Sequence, residues 1–515
     1  MPQMSFNAVE KSNTIPTSQT ETSLAGVDHR RPFFNGLLAN FSLNLVIASF
    51  AFILVHKLVS HAHLLSSTPI YSDDYDFLAS SINHLKWNYF RPLSTFVWSI
   101  SASFGAQILF AFTEVVTLVY VALTFTYVKL LFPTEKNSLL PDTILTLAGA
   151  LIAVSYESLT QHYYFSGTQQ NMLAGCFALC SMLSYLSNQN KARPALTTAL
   201  PTIFFTASVL SKEDFILPTG LFFLFFAVFG AKGNRKWAAT TLVMAVLATI
   251  SVTVLQKFVI GSQFFSGASS HYVIDLHAQS ILSMYWKYIT CSAGTTIAAC
   301  LQLLITLAVC IIGKIEDKKR ALLIFAQTIL MIAPFSLLPN HFIEYFAFNW
   351  ICLQAACVFA LMKSLPSHNK ALRLSLVTVF LILGTFTVAA TQAGRHDLQT
   401  WFEKKAEINE NVETTLKTNH DFLAEKKQIV VINPPECGHW TATNGAYLKR
   451  KLGFPSQWIL LTPKNSQFDN FAHSFTASKV GSIEVRTFDG DAAPKLGITT
   501  ITFDNDGHGA ITSGE

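Results

Sequence analysis

Apolar runs of membrane-crossing length fill residues 37–392, and they leave few options for the fold. A spanning helix needs about 20 mostly apolar residues. Eleven stretches are read as spans: 37–57, 107–131, 143–159, 170–188, 195–210, 213–230, 237–258, 291–312, 321–338, 345–362 and 373–392. Lipid offers backbone groups no hydrogen-bond partners, so such stretches must be helical. One further run, 92–105, is short and Ser-rich and is read as an interfacial or re-entrant helix. Charge divides the chain in the same way. Residues 1–392 hold 39 charged side chains (23 Lys+Arg, 16 Asp+Glu), and the last 123 residues hold 28 (13 and 15). The whole chain is 13% charged, against roughly 25% in a soluble domain. The expected fold class is an all-α polytopic membrane protein with about 11 transmembrane helices, carrying a small C-terminal α/β domain. A soluble enzyme, a disordered chain and a disulfide scaffold are excluded. The basic residues punctuate apolar segments rather than cluster, so no nucleic-acid partner is expected.

The division into domains follows. Residues 1–36 are polar and are expected to form a disordered cytoplasmic tail. The first apolar run comes after His29-Arg30-Arg31, as in an uncleaved signal anchor. Residues 37–392 form the membrane domain, with a long first outer loop at 58–106. Residues 393–427 read as a helical linker, and 428–515 as the α/β domain. Within that domain 428–433, 458–461, 483–486 and 498–503 read as strands and 446–452 as a helix. Asp489-Gly490-Asp491 and Asp504-Asn505-Asp506-Gly507 read as strand-end turns rather than calcium loops. Seven of the eight cysteines lie in apolar segments, and no CxxC pair or Cys/His metal spacing occurs.

Sidedness follows from the bias of Lys and Arg toward the cytoplasm. With the N-terminus inside and eleven alternating spans, 17 of the 23 basic residues before position 393 fall on the inner side and 6 on the outer. The tail then lies outside the cytoplasm. The polar chemistry also sorts outward, to Asp73, Asp74, Asp76, Arg91, Glu157, His162, Lys212, Glu213, Asp214, His271, Asp275, His277, His341 and Glu344.

Four outer turns carry candidate chemistry. In the first, Tyr71-Ser72-Asp73-Asp74-Tyr75-Asp76 is followed by Phe90-Arg91-Pro92-Leu93-Ser94. Crowded carboxylates raise one another's pKa and can serve as a proton acceptor, hold a divalent cation, or cap the next helix. Arg91 has the planar fork that grips phosphate. The second turn holds Glu157 and His162, then Tyr163 to Asn171, whose aromatics and amides suit a sugar face or an interfacial aromatic belt. In the third, Ser211-Lys212-Glu213-Asp214 interrupts more than 30 apolar residues. A charged pair there must face water or a site. The fourth is Pro339-Asn340-His341-Phe342-Ile343-Glu344-Tyr345. Glu114, about two turns inside the second span, is an intramembrane carboxylate.

Together these turns resemble the GT-C glycosyltransferases over roughly residues 40–360, with the flavour of the protein O-mannosyltransferases and related bacterial enzymes. Asp73-Asp74 stands where that fold keeps its catalytic Asp, and Tyr89-Phe90-Arg91-Pro92-Leu93 resembles its Tyr-Arg-Pro-Leu. Phe165-Ser166-Gly167 with Met172-Leu173-Ala174 resembles a Ser-Gly-Arg-x-Asp-Leu-Leu-Ala pattern, whose Arg and Asp are replaced here by Thr168, Gln169, Gln170 and Asn171. Leu210-Ser211-Lys212-Glu213 with Pro218 resembles a Leu-Ser-Lys-Glu…Pro helix start, and Glu344-Tyr345-Phe346 a Glu-Arg-Tyr-Leu-Tyr turn without its Arg. The resemblance implies an inverting sugar transfer (hexosyl or pentosyl) from a polyprenyl-phosphate donor on the outer face of a plasma (inner) membrane. The acceptor would be a glycan, lipid or protein. It implies Asp73 as general base with Asp74 as partner or alternative base, and Arg91 and Lys212 on the donor phosphate, with Glu213 orienting Lys212. Glu157, His162, Glu344 and Tyr345 would support the site. No obligatory metal and no cofactor are expected. Three rivals remain: a non-catalytic membrane assembly or receptor module, a lipid or glycan transporter or flippase, which would want mid-membrane charges and internal repeats, and an O-antigen ligase or polymerase. The last would use Arg and His in a late outer loop. The loop expected at 259–290 carries His271, His277 and Lys287 but no Arg.

Overall fold

The structure, a computed structural model, describes residues 91–132, 168–189, 194–260, 274–293, 300, 315–339, 349, 400–432, 435, 445–454, 457–463, 483–489 and 497–513. Its membrane part contains α1 (Pro92–Ser103), α2 (Ala106–Leu131), α3 (Gln169–Asn188), α4 (Pro194–Ser211), α5 (Ile216–Phe229), α6 (Lys232–Ile260), α7 (Ala278–Ala293) and α8 (Ile315–Ser336). A 3-10 turn, Glu213–Phe215, joins α4 to α5. Among the described residues, Gln107–Leu131, Lys232–Phe258 and Lys318–Ser336 are long and apolar enough to cross a membrane. The stretches expected at 170–188, 195–210 and 213–230 are also helical, but each is short or carries polar residues. The expected spans at 37–57, 143–159, 345–362 and 373–392 lie outside the described residues, as does nearly all of 291–312.

Local chemistry explains the helices. Pro92 takes the first position of α1, where its missing N–H costs nothing, and the Arg91 carbonyl accepts from Thr95 at 2.9 Å. The chain then turns at Gly105, whose φ of 105° favours glycine, to start α2. Hydroxyls inside the bundle satisfy themselves. Thr113, Thr117 and Thr124 each donate to the carbonyl one turn back, at 2.8 to 2.9 Å, so these polar side chains can sit in an apolar span.

Small residues close the helix contacts, as they do where lipid gives no hydrophobic drive. Ser208 donates to the Ala174 carbonyl and Ser181 to the Pro201 carbonyl, both at 2.8 Å, tying α3 to α4. Gly175 lies so near the Tyr120 ring that a Cβ there would meet it at 2.5 Å. At the opposite end Tyr127, Tyr185, Phe222, Phe223 and Phe226 form a cluster of edge-on and tilted rings. Gln327 of α8 accepts from the Tyr127 hydroxyl at 2.8 Å and donates to the Pro218 carbonyl at 2.9 Å, bridging α2, α5 and α8.

Part of the expected 259–290 loop is helix. Helix α7 begins at Ala278 and packs along α8, with Tyr285 donating to the Ile329 carbonyl at 3.0 Å. Its apolar residues Ile281, Met284, Tyr285 and Tyr288 recur every three or four positions, which places them on one face. Lys287 and exposed Leu282 and Trp286 lie off that face.

Beyond the bundle, residues 400–418 form α9, followed by α10 (His420–Ala424). Then come β1 (Gln428–Ile432), α11 (Gly445–Arg450), β2 (Gln457–Pro463), β3 (Ile483–Phe488), β4 (Thr500–Phe503) and β5 (Gly509–Thr512). The sheet order is β3-β2-β1-β4-β5, with β5 the antiparallel strand. Asp504–Gly507 is the β4–β5 hairpin turn. The Asp504 carboxylate accepts from the backbone N–H groups of Asp506 and His508 at 3.0 and 2.9 Å, and Gly507 takes a φ of 86°. Phe402 of α9 packs in the main cluster of the bundle. Val412 and Leu416 of the same helix share a cluster with β1, β2 and β4, and also with Trp98 of α1 and Leu109 of α2. The α1–α2 hairpin, α9 and the sheet domain therefore share one hydrophobic cluster.

Candidate functional site

Three chain turns meet at one end of the bundle: the start of α1, the start of α3 and the α4–α5 turn. Arg91 precedes α1, and its Ser94 neighbour one turn on donates to the Ser211 carbonyl at 2.9 Å. That bond anchors α1 on the end of α4. The Arg91 guanidinium donates from Nη2 and Nε to the two oxygens of Glu213, at 2.6 and 3.2 Å, and from Nη1 to Gln170 Oε1 at 2.8 Å. Lys212 Nζ lies 2.9 Å from Asp214 Oδ2, donates to Asn171 Oδ1, and sits 5.8 Å from the Phe335 ring centroid at the end of α8.

The arrangement places two cations, two carboxylates and two amides in one connected cluster. Burial differs across it. The Lys212 and Asp214 side chains are each 6% exposed, whereas Arg91 is 14% and Glu213 38% exposed. Burial pushes the Lys212 ammonium below the ordinary lysine range, with Asp214 opposing that shift. Burial likewise pushes the Asp214 carboxyl up, and the two shifts narrow the gap that keeps the proton on the lysine. At Glu213 burial acts upward. The charge and hydrogen bonds of Arg91, helped by Lys212, outweigh it and leave the carboxyl below its usual value.

The sequence reading brought Arg91, Lys212 and Glu213 forward, and the structure brings them together. It also redistributes the partners. Glu213 was expected to orient Lys212; instead its carboxylate is gripped by Arg91, and Asp214 is the acid at 2.9 Å from Lys212. Gln170, Asn171 and Asp214 lie in the second and third of those turns but were given no individual role. Their signal was present, in polar amides opening an apolar helix and in a second acid in the turn. Asp73, Asp74, Glu157, His162, Glu344 and Tyr345 lie outside the described residues. Among the described residues no group of three or more His, Cys, Asp or Glu is placed to hold a metal ion. Glu114 is buried in α2.

Elsewhere on the same end of the bundle, the Asp275 N–H donates to the Leu337 carbonyl at 2.9 Å, and Asp275 lies 2.5 Å from His277 Nδ1. The opposite end carries Lys319 at 5.7 Å from the Phe229 ring and Arg235 donating to the Gly230 carbonyl at 2.8 Å. These are residues that the charge bias assigns to the inner side.

No protein-family model matches the sequence, and no curated protein matches it. Solved structures do. ArnT from Cupriavidus metallidurans in the apo state is similar with a TM-score of 0.52 and 11% identity, covering 88% of this chain and 93% of that chain. ArnT from the same organism bound to undecaprenyl phosphate is similar with a TM-score of 0.49 and 12% identity, covering 87% and 93%. The first likeness shows a fold in common with that solved structure, and the apolar helices fit a polytopic membrane protein.

Proposed function

We propose that this chain is a membrane glycosyltransferase that moves a sugar from a polyprenyl-phosphate donor to an acceptor hydroxyl on the outer face of a plasma (inner) membrane. The N-terminus is cytoplasmic in this reading and the sheet domain extracytoplasmic. The observation that carries the proposal is the convergence of Arg91 and Lys212. They come from two distant turns of the sequence, yet their partners Gln170 and Asn171 are adjacent residues of α3. Two fixed cations beside a bilayer suit a phosphate whose charge grows as its bond to sugar breaks. The fold shared with ArnT supports the same reading.

The chemistry is a single displacement. The acceptor oxygen attacks the anomeric carbon as the carbon–oxygen bond to phosphate breaks, which inverts that carbon. Asp73 takes the hydroxyl proton, with Asp74 as its partner or the alternative base, and the lipid phosphate leaves with both bonding electrons. Arg91 and Lys212 stabilise its charge. Glu157, His162, Glu344 and Tyr345 are the supporting residues in this reading. The acceptor is a glycan, lipid or protein.

The test is a transfer assay with purified protein and labelled polyprenyl-phosphate sugars. Wild type should transfer from one member of the panel. Asp73→Asn should lose activity by about 100-fold or more, the scale of a missing general base, with unchanged expression and thermal midpoint. Wild-type rates in that variant would remove Asp73 from its role. Transport of the lipid across vesicles without transfer would overturn the enzyme reading.

A further inference from the structure

Among the described residues, Arg91 and Lys212 are each held by a neutral amide and by a carboxylate. Gln170 and Asn171 supply the amides, Glu213 and Asp214 the carboxylates. The two carboxylates are not equivalent. Asp214 is sealed with Lys212, and an ion pair shielded this way is hard to open because either charge left alone would be stranded. Glu213 reaches water, so its charge can be solvated when it lets go. Its two oxygens span Nε and Nη2 of Arg91, the edge on which a guanidinium also binds two phosphate oxygens. The Gln170 contact uses Nη1 and does not compete for that edge.

We propose that Glu213 is an exchangeable counter-ion that keeps the phosphate seat on Arg91 occupied until a phosphate headgroup displaces it, and that Gln170 and Asn171 are the positioning residues that hold the two cations through the exchange. This rests on the reading of Arg91 as a donor-phosphate residue. The neutral character of Gln170 and Asn171 at the start of α3 then has a consequence. An amide can orient a cation without neutralising it, so the cation stays attractive to phosphate once Glu213 has swung out. Only a side-chain rotation at the edge of the 3-10 turn is needed, and Lys212 and Asp214 can stay in place.

The test measures binding of two probes, undecaprenyl phosphate and inorganic phosphate, to the purified full chain in detergent. Removing an internal competitor removes the fraction of protein in which the seat is taken, so Glu213→Gln should bind undecaprenyl phosphate about tenfold more tightly. Gln170→Leu should weaken binding at an unchanged thermal midpoint, both in otherwise wild-type protein and in combination with Glu213→Gln, and Gln170→Asn should restore part of it. Tightening of both probes supports a seat that reads phosphate alone. Tightening of undecaprenyl phosphate only supports a seat that also needs the lipid. Equal or weaker binding of both probes by folded Glu213→Gln overturns the exchange. Should that variant fail to fold, Glu213→Asp, which is too short to span both nitrogens, must show the same tightening at smaller amplitude, and its absence overturns the proposal. Wild type and Glu213→Gln both failing to bind either probe would sink the donor-phosphate role of Arg91 itself, an outcome distinct from equal binding.

Discussion

Arg91 and Lys212 divide the two acids of the α4–α5 turn between them, and the reason is angular. In a 3-10 turn successive side chains project about 120° apart. Glu213 therefore faces α1 while Asp214 faces back toward Lys212. The Glu213 carboxyl is held below its ordinary value, which gives a signed pH dependence. A depressed carboxyl contributes stability that is present above its unfolded pKa of about 4.3 and is lost as pH falls through the lower folded value. The stability difference between wild type and Glu213→Gln should thus be constant near neutrality and shrink below pH of about 4. Asp214, whose carboxyl is raised by burial and also by the neighbouring Glu213 charge, acts with the opposite sign, and Glu213→Gln relieves the part that Glu213 supplies. Thermal midpoints of the two proteins across that range are the measurement; a difference that grows on acidification would contradict the Arg91–Glu213 pairing.

At the scale of elements, α3 sets the geometry of the cluster because it supplies both amides and is packed against α2, α4 and the turn. Its approach depends on Gly175. A Cβ at that position would meet Tyr120 at 2.5 Å and Phe215 at 2.8 Å, and Phe215 closes the turn that carries Glu213. Gly175→Ala should cost about 1–3 kcal/mol through overpacking and also reduce transfer, because relief requires α3 or the turn to move. Gly220 of α5 is the control. Nothing lies within 4 Å of a Cβ there, and Gly220→Ala should be neutral or stabilise by up to about 1 kcal/mol. Thermal midpoints and transfer rates of the two variants should separate clearly; equal effects would mean that α3 is not held by that contact.

At the scale of the whole molecule, the bundle has chemically different ends. One end carries Arg91, Lys212 and the α1–α2 hairpin, whose Trp98 and Leu109 join the cluster of α9 and the sheet domain. The other carries Lys319, Arg235 and the α5–α6 turn. Trp98 and Leu109 share a cluster with β1 and β4, so the proposed function expects the sheet domain and the cation cluster on the same side of the bilayer. In a background without the native cysteines, Asp506→Cys should react with a membrane-impermeant thiol reagent on intact cells, and Lys236→Cys should react only after the membrane is opened. The reverse pattern would place the cation cluster in the cytoplasm and remove the outer-face reaction.

Hydropathy alone was enough to mark the bundle as membrane-embedded, because a run of twenty apolar residues has one solvent that suits it. Short runs rich in β-branched and apolar residues likewise marked β1 to β4, though not β5, whose four residues (Gly509 to Thr512) are too short and too weakly apolar to stand out. The turn motifs flagged Arg91, Lys212 and Glu213 as chemistry, since charge inside so apolar a chain is costly unless it works. Which acid meets which base was settled only by folding. Gln170 and Arg91 are 79 positions apart, and Arg91 and Glu213 are 122 apart. Contacts at such separation depend on how closely α3 can approach its neighbours, and at Gly175 the absent Cβ leaves the room that the Tyr120 and Phe215 rings occupy.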